Sequence, residues 1–380
     1  MNRHARALRR RIVQALGTAS LFPCGLLSAT AAPPDAQRFA PVVPEYRMRF
    51  PDDEGSHPEF RLEWWYVTGW LKQATRELGF QITFFRARPD RGNGNPSAFM
   101  PRQIIIAHAA VSDPDYGRLI HAQRAARAGF DLAGAAEGHT RVWLDRWSLS
   151  QQGRIYRARL SWDEAAFDFS FTARDPPLLQ GEAGYSRKGP APLSASYYYS
   201  IPHLAVQGSL RHRGRMDRVM GVAWLDHEWS SQYLDEHAVG WDWVGINLDD
   251  GGAIMLFRMR DRDGGPFWAG GTLRAARGQS RTLGPQEIHF TALREWRSTR
   301  TGVRYPVAWR VETPVLGFSL EPLMDDQEHD TRATSGTLYW EGAVRALHRG
   351  EVIGRGYLEL TGYAGRVDLS DIESRERLLA

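Results

Sequence analysis

The chain has a single cysteine, Cys24, and it falls within the first 32 residues. Nothing beyond them can be held by a disulfide, whatever the redox compartment. Lysine is almost missing: Lys72 and Lys188 are the only two among 48 basic residues. We read that bias as GC-rich coding rather than function. After residue 32 no apolar run is long enough to cross a bilayer, which leaves no integral membrane span in the mature chain. A sustained 3.6-residue apolar period is missing too, whereas alternation is common, so a helical bundle is excluded and the class is all-β. There is no phosphate-cradling glycine loop, no Gly-x-Ser-x-Gly elbow, and no histidine at zincin spacing after His227-Glu228. His57, His108 and His203 carry no spacing that would bring them together. No cofactor and no metal site is expected.

What is present begins with a leader. Arg3, Arg6, Arg9, Arg10 and Arg11 form a basic head, Ile12 to Leu27 is mostly apolar or small, and Ala29-Thr30-Ala31 has the form of a cleavage site. Residues 1–32 read as a signal peptide cut after Ala31 or Ala32, which expects a periplasmic or secreted protein. Arg9-Arg10-Arg11-Ile12-Val13 also fits twin-arginine export. Pro23 before Cys24 disfavours a lipid anchor. The leader carries five arginines and no acid, so removing five from the formal charge of +4 leaves −1. No basic field remains to attract nucleic acid.

The rest divides into an extended lead-in (33–55), a first barrel domain (56–232), a second (238–368) and a tail (369–380), with 370–379 as a terminal helix. The division rests on a repeat. Glu63-Trp64-Trp65-Tyr66-Val67 is followed by Phe84-Phe85-Arg86-Ala87-Arg88, and Trp241-Asp242-Trp243-Val244 by Phe257-Arg258-Met259-Arg260. Further strands are expected at 104–111, 141–149, 154–161, 166–173, 203–210 and 219–229, a short helix or irregular arm at 117–128, and a loop at 91–96. Two up-and-down antiparallel barrels solve the problem of exposed edges best.

Alternation sorts the candidate residues by face. A hairpin turning near Ala74 and Thr75 would set Glu63 and Trp65 opposite Arg88 and Arg86, pairing the acid; a structural ion pair is the plainer reading of Glu63. His227 and Trp229 share one face of their strand, and Asp226 and Glu228 share the other with Trp224. That density of polar groups suits either a hydrogen-bonded corner or a catalytic site. Asp242 opens an apolar face with Val244 and Ile246, as a buried acid of raised pKa or as the partner of an arginine such as Arg258. Trp241 and Trp243 lie opposite. Indoles gathered near acid-bearing strand ends suggest an apolar cavity whose walls could also stabilise a cation.

Taken together, Glu63-Trp64-Trp65-Tyr66-Val67-Thr68-Gly69, Leu225-Asp226-His227-Glu228-Trp229, Gly240-Trp241-Asp242-Trp243, Tyr339-Trp340-Glu341-Gly342 and Gly354 to Tyr363 resemble the CrtC/AttH family, from about His57 to Tyr363. The resemblance implies two lipocalin-like β-barrels in tandem. It also implies one of two activities: carotenoid 1,2-hydratase-like addition of water to an isoprenoid double bond, or an accessory role beside an ABC transporter. His227 and Trp229 match the hydratases' His-x-Trp element, whereas Ala253 to Phe257 is wholly apolar where a further Tyr and Asp are expected. Three readings follow. The first is an exported protein binding an extended apolar ligand, lipid or isoprenoid, in a cleft lined by Trp64, Trp65, Trp229, Trp241 and Trp243 and flanked by Glu63 and Arg86. The second is a cofactor-free hydro-lyase or hydrolase using His227 with Asp226, Glu228 or Asp242. The third is an export scaffold.

Overall fold

A computed structural model describes residues 39–89 and 102–367. The leader with Cys24, the 91–96 loop and the 369–380 tail with its expected helix lie outside them. The regular structure of the described residues is almost entirely strand, with 3-10 turns at Asp52–Glu54 and Pro285–Glu287. It forms two antiparallel sheets of barrel or half-barrel shape, one of 13 strands between Leu62 and Ser230 and one of 10 between Gly240 and Thr361. The first strand of each sheet pairs with both the second and the last: Leu62–Gln73 with Arg76–Ala87 and Arg215–Ser230, and Gly240–Leu248 with Ala253–Arg260 and Glu351–Thr361. Pairing the first strand with the last wraps each sheet round and leaves an edge strand at either end of it, and gives the lipocalin-like all-β architecture the resemblance implied. Among the described residues no helix is long and apolar enough to cross a membrane.

Three local expectations change. Residues 141–149 are not one strand but the start of a hairpin, Arg141–Leu144 paired with Trp147–Gln152. Residues 117–128 form neither a helix nor an irregular arm: Ile120–Arg127 is a strand paired with the wholly buried strand Ile104–Ser112. Its arginines and half-buried alanines hid the alternation, because an edge strand that covers a neighbour's backbone need not be apolar. The hairpin register also moves by two residues. Gln73 pairs with Arg76 directly across Ala74 and Thr75, so Glu63 faces Arg86 and Trp65 faces Phe84. The parity survives, and the acid's arginine is Arg86.

Three apolar layers result. Trp65, Val67, Phe84 and Trp229 belong to a core inside the first sheet, and Val244, Ile246, Trp340 and Leu358 to one inside the second. Tyr66, Trp70, Tyr198, Trp224, Trp243, Met255, Phe257 and Tyr357 fill a third layer between the sheets. The strands shared by two layers are apolar on both faces, which is why Trp64-Trp65-Tyr66-Val67 reads as one continuous run.

Candidate functional site

Inside the first barrel, the strand Leu62–Gln73 carries Glu63 into a fully buried polar network. Arg86 Nε donates to Glu63 Oε2 at 2.7 Å, and Ser56 Oγ donates to the same oxygen at 2.9 Å. Oε1 lies 2.8 Å from His57 Nδ1 and 2.9 Å from His227 Nε2. On the far side of His57, Nε2 stands 3.2 Å from Asp53 Oδ1, and Tyr46 donates its hydroxyl to the same carboxylate at 2.7 Å. Burial alone would raise the pKa of Glu63, but Arg86 and the two imidazoles outweigh it and hold the carboxyl well below its usual range. Burial works against charge on His57 as well, yet Asp53 and Glu63 lift it to about 9. His227 is pushed down by burial, with Glu63 opposing. The balance is therefore two carboxylates against Arg86 and a protonated His57, with His227 neutral.

His57 stacks on Trp229 with ring centres 3.7 Å apart, and Trp65 stacks on His227 at 4.7 Å. His57, Glu63 and His227 have the spacing of metal ligands. A divalent cation there would have to expel the His57 proton and compete with Arg86 for one carboxylate, so the donor set fits a hydrogen-bonded network better than a metal.

The residues on the other faces of these strands line a cavity between the barrels, with about 100 Å³ of room for water-sized molecules. Its walls combine aromatic faces, Trp64, Tyr66, Phe85, Tyr198, Tyr233, Trp241, Trp243 and Tyr339, with the carboxyls of Asp226, Glu228, Glu341 and Glu359. Asp226 accepts from Tyr198 Oη at 2.7 Å, Trp224 Nε1 at 2.6 Å and Ser200 Oγ at 2.5 Å. Even so, burial outweighs three neutral donors and pushes it up to about 7. Glu359 is likewise lifted to about 7 by burial, although Trp241 Nε1 donates to it at 3.0 Å. Glu341 sits directly across the strand pair from Glu359; burial and that neighbour hold it well above the carboxylate range. Glu228 is raised by burial, with Lys188 opposing from 2.7 Å, and Lys188 is lowered by burial in turn. At neutral pH this wall offers an undissociated acid in Glu341, and mixed acid and base forms in Asp226 and Glu359.

The sequence candidates thus fall into two places. Trp64, Trp241, Trp243, Asp226 and Glu228 line the cavity, with Glu63 and Arg86 at its border. His227, Trp65 and Trp229 are packed inside the first barrel. Asp242 joins neither group. It faces the interior of the second barrel, accepting from Arg258 Nε at 2.6 Å, Arg260 Nε at 3.2 Å and Tyr363 Oη at 2.9 Å. His57 meets His227; His108 lies instead near Tyr339, and His203 near Gly252.

Sequence reasoning missed Glu341, Glu359, Tyr66, Tyr198 and Tyr339 as cavity residues, and Asp53 and Tyr199 as partners in the network. One signal was available. Tyr339-x-Glu341 and Tyr357-x-Glu359 each place an acid beside a phenol on one face of a strand and between apolar neighbours, where an acid is costly unless it has a task or a partner. Lys188, one of the two lysines in a chain that otherwise uses arginine, is fully buried over Tyr198 and Phe257.

A family model described as AttH-like matches residues 41–363. A crystal structure of a protein from Nitrosomonas europaea described as an AttH is similar over 86% of this chain and 100% of its own, at 50% identity and a TM-score of 0.81. Kievitone hydratase from Nectria haematococca shares the fold at 16% identity, covering 86% of this chain and 98% of its own with a TM-score of 0.63. CghA does so at 14% identity, 87% and 97% coverage, and a TM-score of 0.53. No curated protein matches the sequence.

Proposed function

Since the chain belongs to the AttH-like family, we propose that it takes the alkene-bearing end of an extended apolar ligand of isoprenoid or lipid type into the cavity between its two barrels and adds water to a carbon-carbon double bond there, without a cofactor. One observation carries this reading: the inter-barrel cavity pairs aromatic walls with buried carboxyls, Glu341 and Asp226, whose burial raises their pKa above the ordinary carboxylate range. A pure carrier has no use for buried acids, which cost stability on every strand that holds them. A hydro-lyase does.

The chemistry follows from the wall. Glu341 gives its proton to the less substituted alkene carbon, forming a C–H bond and leaving a carboxylate. The tertiary cation so formed faces the indoles of Trp64, Trp241 and Trp243, whose π-faces stabilise positive charge without attacking it. Water forms the C–O bond and passes its proton to the carboxylate form of Asp226 or Glu359. That kievitone hydratase has this fold is consistent with the reading. His227 supports the first barrel's wall rather than the reaction.

The test is incubation with an acyclic isoprenoid bearing a terminal double bond in oxygen-18 water, followed by mass spectrometry of the organic extract. A product carrying one labelled hydroxyl is expected. A bound but unlabelled compound would leave a carrier only, and neither binding nor label would sink the reading. The arginine-rich, apolar residues 1–32 support an exported protein; amino-terminal sequencing of the periplasmic form should begin at Ala32 or Pro33.

A further inference from the structure

Strands Ile104–Ser112 and Ile120–Arg127 of the first sheet bring two histidines against a third from the second sheet, on Glu328–Asp330. His329 is fully buried, its ring centre 5.2 Å from that of His108 and 4.4 Å from that of His121. His108 is satisfied, with Nδ1 2.6 Å from the Tyr339 hydroxyl and Nε2 2.9 Å from the Thr334 hydroxyl. His329 is not. Among the described residues neither of its ring nitrogens has a hydrogen-bond partner, and His121 Nδ1 has none either. Two orphaned nitrogens on one buried ring are expensive, and a phenylalanine would fill the same space without that cost.

The position of the ring gives it a use. His329 Nδ1 stands 3.8 Å from Oε2 of Glu341, the acid of the cavity wall. That is too long for a hydrogen bond, but a small turn of either side chain or one bridging water closes it. Packed against the same ring is His121, which is only half-buried and so reaches solvent. The order is solvent, His121, His329, Glu341, cavity.

We propose that His121 and His329 form a proton conduit that reloads Glu341 from solvent. This rests on the reading of Glu341 as the acid of the reaction. Once Glu341 has given its proton to carbon, its carboxylate takes the proton of one ring nitrogen of His329 in the same step as the other nitrogen of His329 takes one from His121. In that step His121 takes one from water at its own second nitrogen, so no imidazolate forms, and a turn of each ring then restores the starting arrangement. A neutral imidazole can do this because one nitrogen carries a proton while the other accepts. The carboxyl of Asp226 or Glu359 that took the captured water's proton gives it up to water as product leaves, so one proton enters by the conduit for each one that leaves and turnover is neutral overall. Burial and the neighbouring His121 and His108 keep His329 well below its ordinary pKa, so it passes protons rather than storing them. His121 is lowered by burial, with Arg300 and Arg118 adding to that and Asp330 and Glu164 opposing; Glu341 faces Glu359 and Tyr66. His329 and His121 are thus positioning and relay groups that never touch the substrate.

The test needs no substrate. An undissociated buried carboxylic acid has its own infrared carbonyl band, which shifts when its proton is exchanged for deuterium, and Glu341→Gln identifies the band. After rapid dilution of the full chain into heavy water, His329→Phe should slow the shift by about a hundredfold. His121→Ala should slow it less, and added imidazole should restore the rate, a rescue that a packing defect would not show. Should His329→Phe fail to fold, the half-buried His121 site still decides the matter. Wild-type exchange rates in either variant, or no Glu341 acid band in the wild type, would overturn the conduit. An unlabelled product in the oxygen-18 experiment would instead refute the hydratase reading and leave this result standing.

Discussion

At the scale of single residues, the two polar groups call for opposite experiments. Glu63 holds two imidazoles and a guanidinium inside an apolar barrel, so Glu63→Gln strips a buried cation of its counter-charge. We expect a loss of about 3–5 kcal/mol in chemical denaturation, the cost of breaking a buried pair. His227→Ala should likewise act first on stability, because its ring is packed between Trp65, Tyr199 and Glu63. Glu341→Gln is the reverse case. An amide replaces a neutral carboxylic acid of nearly the same shape, so the melting temperature should hold while turnover falls by about a hundredfold or more. Trp243→Ala should weaken ligand binding by about 2 kcal/mol in calorimetry, as expected of a central aromatic anchor. The identity of these residue types was legible in the sequence. Their division into structural and cavity groups was legible only as far as parity, which separated His227 from Asp226 without saying which side was which.

Elements of the sheet were the most readable part. The hairpins are fixed by turn chemistry as much as by their apolar faces. The loop between Leu338–His348 and Glu351–Thr361 places Arg349 at φ 53° and Gly350 at φ 86°, both in the left-handed region. Glycine adopts that backbone freely and arginine does not. Arg349→Asn should therefore raise stability by about 0.5–1 kcal/mol in denaturant titration, and Gly350→Ala should lower it by a similar amount. The strand Ile120–Arg127 escaped the sequence because edge strands are selected for charge and shortness rather than alternation. The register of the first hairpin follows from its two-residue loop and needs no tertiary information once the turn is counted correctly.

For the whole molecule, stability should report the buried charges through pH. Asp226 and Glu359 are raised to about 7 from ordinary values of 3.8 and 4.5, so the folded state keeps protons that the unfolded chain releases. Their contribution is fully present below about pH 4 and is lost as pH rises towards 7. His57, raised from 6.5 to about 9, adds stability that is lost between those values. Asp53 and Glu63 are lowered, so their contribution disappears instead as the solution is acidified. Scanning calorimetry should accordingly find the highest melting temperature on the acid side of neutrality, and Asp226→Asn should flatten the decline between pH 4 and 7. The sheets also meet closely at Gly79, where an added Cβ would lie 2.7 Å from Ala343 Cβ and 2.8 Å from Tyr357 Oη. Gly79→Ala should separate them at a cost of about 1–3 kcal/mol, the usual range for overpacking. By itself the sequence determined the all-β class, the family and which candidate residues share a strand face, because strand periodicity and turn chemistry are local. The tertiary structure alone decided that the cavity lies between the barrels rather than within one. It also decided that Glu341 and Glu359 complete the cavity's acid wall and that His227 does not. Those facts depend on which outer faces are pressed together, and alternation along a strand carries no record of its neighbour in the other sheet.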